Sequence, residues 1–199
     1  MKRKYNGYRV YFYNFGKFDC YFVTSVLTTL STKIKPIIKD GVIFELRLQF
    51  KVEDNKKHSV LYFRDSYLLL PASLSELTTN FNVENKLKYP LFMINRVALN
   101  GILPEYKDFT KITLEEFKEK YKNLSDNIIK KYRKFKFILP NEYLEYIKQY
   151  SNNNWNLKEE TIKYCEQDVR ALHQILVTFV DRIYSLFKIN IVNYPTLPL

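Results

Sequence analysis

The sequence has 199 residues, of which 46% are hydrophobic and 27% are charged. That length and balance exclude wholesale disorder and allow one domain with a real core. The net charge is +11, which favours polyanionic partners. Aromatic residues make up 17% of the chain, and rings among cations suit a nucleic-acid surface, because cations contact phosphates and rings stack on bases. A codon bias towards Lys and Tyr in any globular protein would give the same composition.

The cysteines and the N-terminus bear on the compartment. Cys20 and Cys165 lie far apart in the sequence and are too few for a disulfide framework, so we expect reduced, buried thiols in an intracellular protein. No run of about 18 apolar residues occurs, which argues against a transmembrane helix. The basic start, Met1–Tyr5, is not followed by an apolar segment, so no secretory signal is expected.

The first predicted elements are a strand and a helix joined by a tight turn. Residues Tyr8–Phe15 are aromatic and β-branched, which predicts a buried strand that ends at Gly16. Apolar residues then recur with a helical period, at Phe18, Phe22, Val26 and Leu30.

A β-hairpin is predicted next. Asp40-Gly41 is a hairpin turn signal, and apolar residues alternate along the strand that follows it. The alternating residues are Val42, Phe44, Leu46, Leu48 and Phe50. After a polar turn at Glu53–Lys57, the partner strand is predicted at Val60–Phe63.

Two later helices have recognisable starts. Ser73 and Thr113 each precede a helical segment, and Glu76 and Glu116 stand three residues further on. That spacing is typical of a capping box, in which the two side chains satisfy each other's backbone N–H groups.

The rest of the chain is predicted to be mainly helical. One helix is predicted from Asn141 to Tyr150, and the longest from Lys158 to Phe187. The apolar stripe of the longest helix is Ile162, Cys165, Val169, Leu172, Leu176, Phe179, Ile183 and Leu186. The most basic stretch, Lys118–Lys136, is typical of a solvated helix face, with contact to DNA or a priming protein as the alternative.

Two places in the sequence carry side chains suited to catalysis. Asp19 puts a carboxylate at the predicted junction of strand, turn and helix, and Tyr164 and Asp168 share one face of a helix because they are four residues apart. Carboxylates are ligands that Mg²⁺ prefers, and a neighbouring phenol can orient an attacking water. The structural alternatives are a charge at a helix N-terminus for Asp19 and a solvated pair for Tyr164 and Asp168.

Five ordered segments resemble the exonuclease region of family-B DNA polymerases, above all the protein-primed branch found in linear mitochondrial plasmids and some phages. Asn14–Phe22 is similar to the second exonuclease motif, and Tyr164–Val169 is similar to the third, Y-x-x-x-D. Asp65–Pro71 resembles the branch's Ser/Thr-Leu-x-x-hydrophobic motif, which touches single-stranded DNA, although Tyr67 takes the place of Leu.

The other two segments are similar to shorter motifs of the same branch. Lys86–Pro90 resembles a motif whose Lys assists catalysis, and Lys88 competes with Lys86 for that role. Tyr194–Pro198 resembles the linker that leads into the polymerase domain.

The resemblance implies a fold and a site. The implied fold is an α/β, ribonuclease-H-like exonuclease domain over residues 1–188, with a mixed sheet flanked by helices and with residues 189–199 as the linker. Asp19 and Asp168 would hold Mg²⁺ or Mn²⁺, Tyr164 would orient the nucleophilic water, and Lys86 would stabilise charge on the scissile phosphate. The residues implied to bind the 3′ end of single-stranded DNA are Asn14, Phe18, Ser66 and Tyr67.

Two motifs of the family pattern are missing from the sequence. The D-x-E motif, which supplies two further carboxylates on the family's first strand, occurs nowhere, and neither does the D-T-D polymerase signature. We therefore expect an incomplete domain that lacks its first strand and leaves the strand around Tyr11 at a sheet edge. Two carboxylates hold at most one Mg²⁺ loosely, so little or no nuclease activity is expected from this chain alone.

Three interpretations of the sequence remain open. The first is the exonuclease part of a plasmid-type DNA polymerase, whose partners would be a single-stranded 3′ end, a terminal priming protein, and a separate N-terminal fragment or polymerase domain. The second is a non-catalytic module that binds single-stranded nucleic acid, and the third is an unselected reading frame. The branch that the sequence resembles implies a mitochondrial location.

Overall fold

The computed structural model describes residues 2–17, 19–52, 55–83, 87–95, 101–126, 128–129, 138–150 and 155–197. The chain divides into two compact units. The first unit contains Met1–Asn85 and Ala171–Leu199, and the second contains Lys86–Arg170. The prediction of one domain over residues 1–188 stays a prediction.

A four-stranded mixed sheet forms the centre of the first unit. Its strands are β1 (Arg9–Phe12), β2 (Lys33–Lys39), β3 (Val42–Val52) and β4 (Asn55–Asp65), in the order β1-β4-β3-β2. β1 runs parallel to β4, whereas β2–β3 and β3–β4 are antiparallel. The described strands therefore place β1 at an edge, which confirms the expectation for Tyr11.

The predicted hairpin joins β2 to β3. Asp40 and Gly41 both have a positive φ, 51° and 74°, as a two-residue turn of this kind requires. β4 extends well beyond the predicted Val60–Phe63, because its pairing with β3 continues from Asn55 to Arg64.

Six helices with defined ends are described. They are α1 (Asp19–Leu30), α2 (Leu74–Phe81), α3 (Tyr106–Thr110), α4 (Leu114–Lys120), α5 (Pro140–Lys148) and α6 (Leu157–Phe187). The capping boxes predicted for the starts of α2 and α4 are both confirmed. Within these ranges no helix is both long enough and apolar enough to cross a membrane.

Helix α1 packs on one face of the sheet, but the apolar residues whose period predicted the helix do not make this contact. Buried Cys20 lies with Leu46, Leu48 and Phe63 in one apolar cluster, with Val23 and Leu27 packed at its margin. The positions with the predicted period are exposed instead, by 68% at Phe22, 56% at Val26 and 64% at Leu30. The helix carries two apolar stripes, and the turn that leads into it decides which stripe meets the sheet.

Helix α6 also differs from its predicted packing. Leu172 and Phe179 of the predicted stripe are buried in the first unit, but Ile162, Cys165 and Val169 in the second unit are exposed. The expectation of two buried thiols is therefore wrong for Cys165 and correct for Cys20. In its first half the inward face of α6 carries polar and aromatic residues.

The second unit is built around aromatic residues, without a strand in its described part. Trp155 is buried and donates its indole N–H to the Tyr146 hydroxyl at 2.8 Å. Burial raises the pKa of Tyr146 to about 12. The Tyr106 hydroxyl donates to the Ile138 carbonyl, so both buried phenols are hydrogen-bonded.

A buried ion pair connects the sheet to the C-terminal segment. Glu45 on β3 and Arg64 on β4 are directly paired, with side chains 1% and 5% exposed. The Arg64 guanidinium also donates to the carbonyl oxygens of Val192 and Tyr194. Glu45 accepts a second bond from Arg47, whose side chain is 49% exposed. The predicted linker region thus begins with a segment that is packed against the sheet.

The two arginines should contribute very differently to stability. We expect Arg64→Ala to lower the free energy of unfolding by about 3–5 kcal/mol, because it breaks a buried pair and leaves two carbonyl groups without their donor. Arg47→Ala, the matched control, should cost about 1 kcal/mol or less because that arginine is half-exposed. Urea denaturation followed by circular dichroism measures both, and equal losses would contradict the assignment.

Candidate functional site

The turn between β1 and α1 is the first candidate part of a site. Asn14 adopts a left-handed conformation with φ 59°, which asparagine tolerates better than most residues. Phe15 is fully buried beneath the turn. A Cβ atom at Gly16 would lie 3.1 Å from the Ile43 carbonyl oxygen, so glycine allows the turn to approach β3. Asp19 follows as the first residue of α1.

A buried carboxylate ties this turn to a second one. Asp65, at the end of β4, is 2% exposed; one of its oxygens accepts from the Gly16 N–H and the other from the Tyr67 N–H, each at 2.9 Å. The neighbouring Ser66 hydroxyl donates to the Phe12 carbonyl at 2.8 Å. Two segments that the sequence singled out separately are therefore joined by direct hydrogen bonds.

Two tyrosines, Tyr13 and Tyr67, lie at the joined turns. The rings of Tyr13 and Tyr67 meet edge to face with centroids 6.0 Å apart, and the Tyr13 hydroxyl donates to the Ala72 carbonyl. Tyr67 is half-buried, whereas Ser66 is buried with its hydroxyl directed to the backbone. Of these two predicted DNA contacts, Tyr67 offers an accessible ring and Ser66 stabilises the turn.

The electrostatics of the turn follow from burial and like charge. Burial raises the pKa of Asp19, and the negative charge of Asp65 raises it further. The pKa of the buried Cys20 thiol is raised by its burial and then by the charges of Asp19 and Asp65. Negative charge is thus concentrated where it is incompletely solvated, an environment that favours a cation.

A second group of side chains lies in the second unit, around the start of α6. Tyr164 and Asp168 are both half-buried and lie four residues apart on one continuous helix, so they share a helix face as predicted. The Tyr89 ring stacks on Tyr164 with centroids 4.8 Å apart, and the Tyr89 hydroxyl lies 2.7 Å from that of Thr161. The Lys88 ammonium lies 3.3 Å from the Glu142 carboxylate.

The predicted site residues therefore form two groups, each inside one unit. Asn14, Asp19, Ser66 and Tyr67 belong to the first. Tyr164, Asp168 and Lys88 belong to the second. Phe18 and Lys86 lie outside the described residues.

Two contributing residues were not predicted. Asp65 stands directly before Ser66 at a strand end, where an Asp side chain commonly caps the next turn, and that position was the available signal. Tyr89 lies inside the segment Lys86–Pro90 that the sequence singled out for its lysine, but only the folded second unit places its ring against Tyr164.

The fit to a divalent metal is incomplete. Among the residues that the structure describes, no group of three or more His, Cys, Asp or Glu side chains is placed to hold a metal ion. Both oxygens of Asp65 already accept backbone hydrogen bonds. Of the two carboxylates that the sequence suggested as ligands, Asp19 belongs to the first unit and Asp168 to the second.

Comparison with known proteins decides the family. The chain matches the family described as DNA polymerase type B, organellar and viral, over residues 1–199. It belongs to that family.

Curated relatives agree with the type B polymerase family. The chain is 38% identical to a probable DNA polymerase of Neurospora intermedia, over all of this chain and 19% of that protein. It is 33% identical to one of Ascobolus immersus, over 99% of this chain and 15% of that protein, and 27% identical to one of Agaricus bitorquis. The chain thus spans less than a fifth of the first two polymerases. No solved structure matches it.

The carboxylate that joins the turns should matter for stability. We expect Asp65→Asn to lower the free energy of unfolding by about 1–3 kcal/mol, because the amide nitrogen cannot accept one of the two buried N–H groups. Chemical denaturation measures the loss. The same substitution at exposed Asp181 is the control, and a cost at Asp65 no larger than at Asp181 would refute the role.

Asp19 should make the stability of this polymerase segment depend on pH. Its pKa is raised in the folded state, so the stability linked to it is present below the unfolded-state pKa and is lost as pH rises through the folded value. We therefore expect Asp19→Asn to raise the thermal midpoint near pH 7, and to change it little at about pH 3–4. Asp181→Asn again serves as the control, and a stabilisation that does not vary with pH would disprove this account.

Proposed function

We propose that this chain forms the 3′–5′ exonuclease region of a type B DNA polymerase, with a ribonuclease-H-like fold. The observation that carries the proposal is the pair of hydrogen bonds from Gly16 and Tyr67 to Asp65. They join the segment that resembles the second exonuclease motif to the segment that resembles the motif touching single-stranded DNA. A mixed sheet flanked by helices is consistent with that fold.

The first unit would receive the end of the DNA strand. Asn14 and Tyr67 lie on the two joined turns and would contact the terminal nucleotides together with Phe18, and Ser66 would keep the turns in register. Aromatic stacking grips bases without sequence preference, as a proofreading site requires. Asp19, at the same turn, would place a carboxylate beside the last phosphodiester.

The second unit would contribute the groups nearest to the reaction. Tyr164 would orient the attacking water, and its stacking on Tyr89 limits the positions that its hydroxyl can take. Since Lys88 is already paired with Glu142, we favour Lys86 as the lysine that stabilises charge on the scissile phosphate.

The metal ions of the proposed exonuclease site have the fewest candidate ligands in this chain. Asp19 and Asp168 would be its ligands for Mg²⁺ or Mn²⁺, and a divalent ion bound there would activate water and offset charge on the phosphate. Because the described residues offer no further carboxylate cluster, we derive no metal-dependent step for the chain by itself. The second candidate function is the one that the sequence left open, a module that binds single-stranded nucleic acid without cleavage.

The partners follow from the same proposal. They are a single-stranded 3′ end, a priming protein, and further polymerase segments, of which one would pair with the open edge of β1. The family's description as organellar and viral agrees with a mitochondrial site of action.

A nuclease assay, with and without a fused D-x-E strand, separates the two candidates. We expect the chain to bind a 3′-labelled single-stranded oligonucleotide in a salt-dependent way, and to release little or no labelled nucleotide with Mg²⁺ or Mn²⁺. Gel electrophoresis measures cleavage, and fluorescence anisotropy measures binding. The matched variants are Asp168→Ala and, as a control on the same helix, Asp181→Ala.

The outcomes of these assays lead to different conclusions. Robust digestion that Asp168→Ala abolishes and Asp181→Ala leaves intact would overturn the expectation of inactivity and support a complete nuclease. Cleavage that appears only when a D-x-E strand is fused before Arg9, and disappears with Asp168→Ala, would support the exonuclease proposal. Failure to bind the 3′ end would contradict both candidates.

A further inference from the structure

One face of the sheet carries a row of cations across all four strands. The register places Lys35 on β2 opposite Arg47 on β3, Arg47 opposite Tyr62 on β4, and Tyr62 opposite Arg9 on β1. Residues that lie directly opposite one another point to the same face of a sheet. Lys35, Arg47 and Arg9 are exposed, so the row presents three positive charges to solvent.

Two further lysines extend the row into a cationic face. Lys33 stands two residues before Lys35 on β2, about 7 Å away, and Lys51 stands four residues after Arg47 on β3. Both are exposed. The opposite face of the sheet carries Leu46, Leu48 and Phe63, and it is covered by α1. We call the face that holds Arg9, Lys33, Lys35, Arg47 and Lys51 the cationic face.

The cationic face keeps its charge, because its carboxylate is already neutralised. Among the described strand residues on this side, the carboxylate is that of Glu45, which is 1% exposed and is bound by Arg64 and Arg47. The network and the row together hold four positive charges, those of Arg9, Lys35, Arg47 and Arg64, against one buried negative charge. The other described positions that register with the lysines carry no carboxylate: they are Gln49, Val60 and His58.

An aromatic ring orders the arginines in the row. The guanidinium groups of Arg9, Arg47 and Arg64 lie 5.8, 5.6 and 6.0 Å from the centre of the Tyr62 ring. Such contacts hold long side chains in place and reduce the entropy lost on binding. Three guanidinium groups already contact the Tyr62 ring, so it positions charges and is a poor platform for stacking bases.

We propose that the cationic face binds the sugar-phosphate backbone of a nucleic acid, away from the strand end. An ordered array of cations, held by a tyrosine ring that guanidinium groups already contact, fits phosphates and does not read bases. The choice of nucleic acid as the polyanion rests on the proposed function. The face itself is separate from that site, because none of its residues belongs to the turns that Asp65 joins.

A circular oligonucleotide tests this face without engaging the strand-end site, because a circle has no 3′ end. The variant Lys33→Gln/Lys35→Gln/Lys51→Gln should bind a single-stranded circle at least about tenfold more weakly than the unchanged chain at low salt. The slope of log affinity against log salt should fall in magnitude by about 2, since each lost phosphate contact contributes about 0.7. Fluorescence anisotropy over a salt series measures both quantities.

The control removes the same charge elsewhere. Lys107→Gln/Lys148→Gln/Lys158→Gln changes three exposed lysines of the second unit and should leave the affinity within about twofold. Equal weakening by both triple variants would show a general effect of net charge and would overturn the proposal. Thermal melting checks that each variant is folded, and Lys33→Gln/Lys35→Gln alone provides a milder second variant, for which a loss of about threefold or more is expected.

Two further arms identify the polyanion. A circular duplex in place of the single strand shows which form the face prefers, and weaker binding of the variant to either form supports the proposal. Poly-glutamate at equal charge should compete poorly, and complete displacement by it would assign the face to an acidic protein and refute the proposal. If the fused D-x-E strand brings no cleavage while the circle still binds through these lysines, only the proposed exonuclease function is lost.

Discussion

Two consecutive buried charges at the end of β4 organise the first unit. Arg64 and Asp65 are both almost inaccessible to solvent, and alternation along a strand directs them to opposite sides. Arg64 binds Glu45 and the carbonyl groups of the C-terminal segment. Asp65 binds the backbone of the turn that leads into α1. A buried charge is costly unless it is fully paired, so each of these residues constrains the chain segments that satisfy it.

This arrangement places the candidate site on turns that a rigid sheet supports. Asp19 belongs to such a turn, and burial together with the nearby charge of Asp65 raises its pKa. An ionised Asp19 therefore opposes folding, a cost that the role proposed for this carboxylate would explain. The second unit contributes a site of another kind, in which Tyr164 is held by stacking on Tyr89 and not by buried charge.

The two proposed nucleic-acid surfaces differ in their chemistry. The turns near Tyr67 combine an accessible ring with polar groups and a carboxylate, which suits a strand end and a reacting phosphate. The cationic face combines lysines with arginines held over Tyr62, which suits a phosphate backbone of any sequence. A protein that handles a strand end gains from such a division, because backbone contacts supply affinity while the site supplies position.

Local patterns determined most elements of this protein from sequence alone. The hairpin at Asp40-Gly41, the capping box at Ser73 and the long helix that carries Tyr164 and Asp168 depend on turn chemistry, side-chain capping and helical period, which act over a few residues. The order of short motifs also indicated the type B polymerase family.

Tertiary structure alone decided which faces are buried and which distant groups meet. Val26 and Val169 have the periodicity of buried positions but are exposed, because packing turns another apolar stripe of α1 inward and, in the first half of α6, a polar and aromatic face. The joining of Gly16 to Asp65 and the stacking of Tyr89 on Tyr164 bring together residues 49 and 75 positions apart. No local rule specifies such contacts, because their free energy depends on the burial and pairing that the whole fold provides.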